Sequence, residues 1–231
     1  MIRNYDDFVE KLLDYGFSMG GGNDEGIFSI ISWNWNEPPP EDSPIRWHTG
    51  DAETDPWEWR TRVLNERDDI AYSKLFFKKS GFITKEWYPY FLAARQEGLT
   101  FEEAYEDGTI SHFAKRIYEI VTANKQITVD VIKKLGGFTK EDKSAFERAL
   151  TELQMKMFIT MCGAQQKLNK SGEEYGWYVN VFCSTERFFG EEVMEEAESI
   201  SQKEAVDAIR TQVLKINSTA QEKKIIKFIM G

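Results

Sequence analysis

The sequence predicts an α+β fold, predominantly helical, in which an aromatic-rich N-terminal α+β subdomain packs on a winged helix-turn-helix. Two observations support this prediction. Between residues 111 and 190, three amphipathic segments with helical spacing precede two short apolar runs. Six of the seven tryptophans, and most of the acidic excess, lie before that region. We therefore divide the chain into an N-terminal subdomain (1–110), a winged helix-turn-helix (111–190) and a C-terminal helical segment (191–231).

The N-terminal subdomain should begin with a helix and a strand. Residues 1–16 place Phe8, Leu12 and Leu13 on one helical face. After the glycine-rich break SMGGG, the run GIFSIISWNW is short and rich in Ile and Phe, which predicts a strand. The segment NEPPPEDSP is a loop, because consecutive prolines remove backbone donors.

Three further helices are indicated by residues that favour helix starts. The expected cap positions are Asp55 before Pro56, Thr84, and Thr100 with Glu103 three residues later. Asp followed by Pro is typical of an N-cap and a first helical residue. The Thr-x-x-Glu spacing is that of a capping box. The run IAYSKLFFKKSGFI, between the first two of these helices, is an apolar core segment that ends in a glycine turn.

The region 111–190 has the order of a winged helix-turn-helix. Its helices are ISHFAKRIYEIVTAN, ITVDVIKKLGG and KEDKSAFERALTELQMKM. Thr128 is the expected cap of the second, and Gly136 and Gly137 should end it. The third has a buried stripe at Phe146, Leu150 and Leu153. The runs MFITMCG and EYGWYVNVFCS, on either side of AQQKLNKSGEE, predict the hairpin of the wing.

A winged helix suggests nucleic acid as a partner, because helix-turn-helix proteins place their last helix in the major groove. Many winged helices instead bind only protein, so a protein partner is also open. The candidate phosphate contacts are cations of the third helix and the wing, namely Lys140, Lys143, Arg148, Lys156, Lys167 and Lys170. The oligomeric state cannot be read from the sequence.

The charge distribution opposes strong DNA binding. Residues 1–110 contain 11 Lys and Arg against 22 Asp and Glu, whereas residues 111–231 contain 18 against 17. The net charge of −10 repels a polyanion, so any basic footprint must be local. No apolar run is long enough to cross a membrane and the N-terminus is not a signal peptide, so we expect a cytoplasmic protein.

No cofactor or metal is expected, because the chain lacks a Walker A loop, a GxGxxG motif and zinc-spaced ligands. Cys162 and Cys183 fall on the two strands of the expected wing. Without a secretion signal, two buried thiols are favoured over a disulfide.

The tryptophans suggest either a core of large rings or a pocket that stacks a planar ligand, such as an extruded base. The pocket residues would be Trp33, Trp35, Trp47, Trp57, Trp59 and Trp87, with Arg60 beside them. Carboxylates near tryptophan rings can have raised pKa values and can act as acids or bases. The candidate catalytic residues are His48, Asp51 and Asp55. His48 could serve as a general base, or as a hydrogen-bonding loop residue.

Two segments resemble the AlkZ-type winged-helix DNA glycosylases, and most closely the small proteins called AlkZ-related. The first is YSKLFFKKSGFITKEWYPYFLAAR, with Phe76 and Phe77, Tyr88 and Pro89, and Arg95. The second combines AFERALTELQMKMFITMCG with EEYGWYVNVFCSTERFFGEEV, which contains the pair Glu186 and Arg187. Together they cover roughly residues 60–215.

The resemblance implies a winged-helix fold and excision of alkylated or crosslinked bases from DNA. Glycosylases of this type position the hydrolytic water with a Gln-x-Gln or Gln-x-Asp motif. No such motif is present, and the first glutamine is Gln96. Catalytic residues of the family therefore cannot be transferred to this chain. If the chain is an enzyme, the resemblance favours a glycosylase-like hydrolase.

Three hypotheses about function follow. The first is a winged-helix protein without the glutamine motif, which binds nucleic acid or a protein partner. The second is a divergent hydrolase that acts on a flipped base in a tryptophan-lined pocket. The third is a regulator that binds a small molecule in the aromatic front half. The absent motif and the acidic charge favour the first.

Overall fold

The computed structural model describes residues 1–168, 171 and 174–231, and it has an α+β fold. The helices are α1 (Tyr5–Tyr15), α2 (Pro56–Glu66), α3 (Tyr88–Gln96), α4 (Phe101–Glu106), α5 (His112–Thr122), α6 (Val129–Leu135), α7 (Lys143–Met155), α8 (Thr185–Phe189), α9 (Glu191–Ser199), α10 (Gln202–Ile216) and α11 (Glu222–Met230). The strands are β1 (Phe17–Met19), β2 (Ile70–Phe76), β3 (Lys79–Thr84), β4 (Ile127–Thr128), β5 (Ile159–Leu168) and β6 (Glu174–Ser184). Within the described chain, no helix is long and apolar enough to cross a bilayer.

The six strands form one antiparallel sheet in the order β1-β3-β2-β5-β6-β4. The two halves of the chain meet between β2 and β5, where Tyr72 pairs with Met161. Side chains reinforce this seam. The Ser73 hydroxyl accepts a hydrogen bond from the Met161 amide at 2.8 Å and lies 3.1 Å from the Thr160 hydroxyl. Gln154 of α7 accepts from the Lys74 amide at 3.1 Å. A single sheet therefore spans both halves.

Most of the predicted helix starts are confirmed. Asp55 caps α2 by accepting from the Trp57 amide, and Thr100 caps α4 within a complete capping box. Thr128 caps α6. The predicted cap at Thr84 is wrong: α3 begins after Trp87, whose amide donates to the Thr84 carbonyl.

The predicted strand GIFSIISWNW is also wrong, because the stretch 20–55 contains no helix or strand. Two of its apolar residues, Ile27 and Ile31, are nevertheless buried. Serine side chains replace the hydrogen bonds of a sheet. Ser29 donates to the Ile31 carbonyl at 2.7 Å, and the Ser18 hydroxyl accepts from the Ile30 amide at 3.0 Å. Local side-chain bonds of this kind compete with strand pairing.

Two clusters of buried side chains form the interior. The first includes Leu12, Trp59 and Leu153, from α1, α2 and α7. The second includes Phe76 and Phe228, whose rings stack with centroids 4.0 Å apart. The first cluster draws on the segments 1–110 and 111–190. The second joins residues of the first segment to the C-terminal helices.

Arg95, in the last turn of α3, lies where β2, α7 and α11 meet. Its guanidinium donates four hydrogen bonds to carbonyl groups, those of Leu75, Met155, Phe228 and Ile229, at 2.7 to 3.0 Å. Burial lowers the pKa of Arg95 to about 9, so the group remains charged at neutral pH. One side chain thus joins a strand to the ends of two helices.

Gly81 of β3 lies at a close approach between three strands. A β-carbon at this position would stand 2.5 Å from the Phe76 ring and 2.8 Å from the Ser18 carbonyl oxygen. We expect Gly81→Ala to lower the free energy of unfolding by about 2 kcal/mol, because the backbone of β1 cannot move aside without breaking its pairing. Urea unfolding measures the change. Ser80→Ala in the same strand is the control, and an equal loss there would contradict the explanation.

Candidate functional site

The tryptophans of the front half occupy several separate places. Trp59 is fully buried between Tyr5 and Phe8, with ring centroids 6.4 and 5.0 Å away. Trp87 packs on Phe17 and belongs to the second cluster. Trp33 packs against the first cluster. These three rings have structural contacts, and the structure does not bring them together with the other three in one pocket.

The remaining rings form a surface group, which we call the tryptophan–histidine cluster (Trp35, Trp47, His48 and Trp57). The His48 ring lies 4.8 Å from Trp57, 6.3 Å from Trp35 and 6.4 Å from Trp47, measured between centroids. Trp35 is 56% exposed. The Arg60 guanidinium lies 3.3 Å from the centroid of Trp57, and its Nε donates to the Trp57 carbonyl. The cluster therefore offers exposed aromatic surface with a cation beside it.

Asp55 is fully buried and organises the loop before α2. Its carboxylate accepts backbone hydrogen bonds at 2.7 to 3.1 Å, from the amides of His48, Thr49, Gly50 and Trp57. The loop needs this support because His48 has φ 61° and Gly50 has φ 76°. A left-handed conformation is uncommon for a residue with a β-carbon.

Asp51 has different surroundings from Asp55. Its side chain is exposed, and one carboxylate oxygen accepts from the amides of Glu53 and Thr54 at 2.7 and 3.3 Å. Of the three candidate catalytic residues, His48 and Asp51 are therefore the ones that solvent reaches.

A concave pocket of about 430 Å³ lies beside Trp57, between α2 and the strands β5 and β6. Its aromatic walls are Trp57, Tyr72 and Tyr178. The side-chain amides of Gln166 and Asn180 also line it. The pocket also has the charged side chains of Glu58 and Arg60 in its lining, so it combines aromatic walls with polar groups that could orient a small molecule.

A second concave surface, the basic groove, runs between α7 and the turn that joins β2 to β3. Its volume is about 600 Å³, and its cations are Lys74, Lys78, Arg148 and Lys156. In the described part of the chain, none of the four forms an ion pair, whereas the neighbouring Lys79 pairs with Glu25 at 3.0 Å. The carboxylates of the groove are Glu147 and Glu152. Glu152 already accepts hydrogen bonds from the amide and hydroxyl of Ser111.

The groove contains two of the predicted nucleic-acid contacts, Arg148 and Lys156. Lys140 and Lys143 are exposed near the start of α7. Lys167, on β5, pairs with Asp130 at 2.6 Å, and Lys170 lies outside the described residues. Sequence reasoning missed Lys74 and Lys78. The adjacent Lys78 and Lys79 in LFFKKSG were an available signal for Lys78, since they mark an exposed hairpin turn.

Metal ligands do not come together in the described chain, where no group of three or more His, Cys, Asp or Glu side chains could hold an ion. No curated protein and no solved structure matches the sequence. A family model described as AlkZ related matches residues 2–230, which is essentially the whole chain. The match covers the sheet, both buried clusters, the tryptophan–histidine cluster and the basic groove. The chain belongs to the AlkZ-related family.

Proposed function

We propose that residues 111–190 form a winged helix-turn-helix and that the protein binds nucleic acid through the basic groove beside α7. The element order α5, β4, α6, α7, β5, β6 supports the first part. So does the pairing of β4 with β6, which completes a small antiparallel sheet behind the three helices. In this arrangement α7 is the third helix, the one that enters the major groove in helix-turn-helix proteins.

The observation that carries the binding proposal is a set of four cations in one open groove, none of which forms an ion pair with a described residue. Lys74 and Lys78 come from the front half, and Arg148 and Lys156 come from α7 or its end. Phosphate contacts by Lys and Arg release counterions and supply most of non-specific affinity. The net charge of −10 repels nucleic acid as it approaches the protein. Binding should therefore be weak, local to the groove and strongly dependent on salt.

We expect the double variant Lys78→Gln/Arg148→Gln to bind duplex DNA roughly tenfold more weakly at ~50 mM salt, because two phosphate contacts are lost. The slope of log Kobs against log salt should become shallower by about 0.9 for each contact. Fluorescence anisotropy of a labelled duplex, repeated over a salt series, measures both quantities.

The matched control is Lys203→Gln/Lys223→Gln, which removes the same charge from exposed positions on α10 and α11. Its affinity should stay close to that of the unaltered chain. Equal weakening in the two variants would show that overall charge, and not the groove, controls binding. Absence of binding by the unaltered chain at low salt would remove the nucleic-acid role and favour a protein partner.

A second candidate function is hydrolysis of a flipped base at the tryptophan–histidine cluster. The exposed Trp35 ring and the pocket beside Trp57 favour it, since flipped bases are held by stacking between aromatic side chains. The catalytic roles of His48, Asp51 and Asp55 remain predictions. Chromatography would detect release of free base from a duplex that contains a methylated purine. Release by the unaltered chain and its loss in Asp51→Asn would support this function.

The third candidate, a small-molecule regulator, uses the same pocket and is favoured by the two amides that line it.

The segment boundaries 1–110, 111–190 and 191–231, and the cytoplasmic location, also remain predictions. Limited proteolysis tests the boundaries. Because each buried cluster joins two segments, we expect cleavage in exposed loops without release of a folded piece.

A further inference from the structure

The two cysteines lie on adjacent strands at the base of the β5–β6 hairpin. Cys183 of β6 follows Phe182, which pairs with Met161. The register shifts between Met161 and Gly163, so Cys162 is the extra residue of a bulge. Both thiols are free, and the register sets Cys183 opposite Thr160, two residues before Cys162. The two cysteines are therefore diagonal neighbours on paired strands, placed for their thiols to share a hydrogen bond.

The two thiols differ in access and in acidity. Cys162 is partly exposed, whereas Cys183 is only 2% exposed. The hydrogen bond from Cys183 lowers the pKa of the Cys162 thiol. The same bond, together with burial, raises the pKa of Cys183, while the positive charge of Arg187 opposes that shift. An accessible thiol that ionises readily, next to a buried second thiol, is the arrangement of an attacking and a resolving cysteine.

We propose that Cys162 and Cys183 are a modification site, which forms a reversible internal disulfide by exchange with a low-molecular-weight disulfide such as oxidised glutathione. The Cys162 thiolate attacks one sulfur of the small disulfide and expels its partner as a thiol. Cys183 then gives up its proton and attacks the Cys162 sulfur of the mixed disulfide. The second small thiol leaves. The two cysteine sulfurs are oxidised, and one small disulfide is reduced to two thiols.

The bond would close residues 162–183 into a loop and fix the bulge at the base of the hairpin. Closing a loop restricts the unfolded chain, so the oxidised protein should melt at a higher temperature than the reduced protein. The exchange reaction does not depend on nucleic-acid binding. It requires only the side chains of Cys162 and Cys183 and the small disulfide.

In the test, the folded chain is treated with oxidised glutathione and its intact mass is measured without reductant. We expect the loss of two hydrogen atoms, complete reversal by dithiothreitol, and a peptide in which Cys162 and Cys183 are linked. A chain that accumulates glutathione adducts without the internal bond would overturn the proposal. So would a chain whose two thiols stay reduced until it unfolds.

Two variants separate the roles of the cysteines. Cys183→Ser should trap a single glutathione adduct on Cys162, because no resolving thiol remains. Cys162→Ser should react at least about tenfold more slowly, because Cys183 is buried and ionises poorly. Melting curves check that both variants are folded. Equal reaction rates in the two variants would refute the assignment of Cys162 as the attacking thiol.

Discussion

Replacement of Arg95 by methionine should lower the free energy of unfolding by about 3 kcal/mol. The guanidinium is the shared partner of four carbonyl groups, two in the last turn of α11, one at the end of α7 and one in β2. Methionine keeps the aliphatic volume and removes the cost of burying a charge. That gain is outweighed because the four acceptors lose their donor, and because two helix ends lose a favourable cation.

Urea unfolding gives the size of this loss, and two other variants show its cause. Arg95→Lys keeps the charge, but a lysine ammonium cannot reproduce the planar fork, so we expect it to recover only part of the stability. Arg148→Met removes an exposed arginine that forms no ion pair in the described chain, and it should change stability by less than about 0.5 kcal/mol. If Arg95→Met is as stable as the unaltered protein, desolvation dominates and the four bonds contribute little.

Replacement of Asp55 by asparagine should also cost about 3 kcal/mol, because the carboxylate accepts four backbone hydrogen bonds in a fully buried position. The asparagine side chain offers only one oxygen to these four amide donors. Its N–H₂ group faces the donors that the second carboxylate oxygen had accepted from. The cap of α2 and the left-handed turn at His48 would both lose support. Urea unfolding, followed by far-UV circular dichroism, measures the effect.

Asp51→Asn is the matched control, since it makes the same chemical change four residues earlier at an exposed position. We expect it to cost less than about 1 kcal/mol. The pair also separates structure from catalysis. A stable Asp55→Asn protein that loses base release would identify Asp55 as a catalytic residue and contradict its role as the organiser of the loop.

Much of the fold could be predicted where the signal is local. Helix caps depend on side chains within three residues of the amide they serve, so Asp55, Thr100 and Thr128 were recognisable. The family could also be recognised, because its segments are continuous in sequence. The run GIFSIISWNW was misjudged because the Ile30 amide and the Ile31 carbonyl bond to the side chains of Ser18 and Ser29, which no periodicity reveals.

The site was harder to predict because it depends on distant parts of the chain. Arg148 comes close to Lys74 and Lys78 only because β2 and α7 pack together. The density of tryptophans in the sequence suggested one pocket. Helix periodicity places Trp57 and Trp59 on opposite sides of α2. Trp59 is therefore buried in the core, whereas Trp57 lines the pocket.

The shortness of the outer strands has a consequence for behaviour at high concentration. The sheet ends on one side at β1 (Phe17–Met19) and on the other at β4 (Ile127–Thr128). An exposed strand edge is a template on which another chain can add, and proteins reduce this risk with short edge strands. The long strands β5 and β6 have two neighbours only near their base, where β5 pairs with β2 at Met161 and β6 pairs with β4 at Val181 and Phe182. Beyond that base, the outer backbone edges of β5 and β6 have no strand partner in the described chain, so edge-to-edge addition at high concentration should occur along the hairpin and not at β1 or β4.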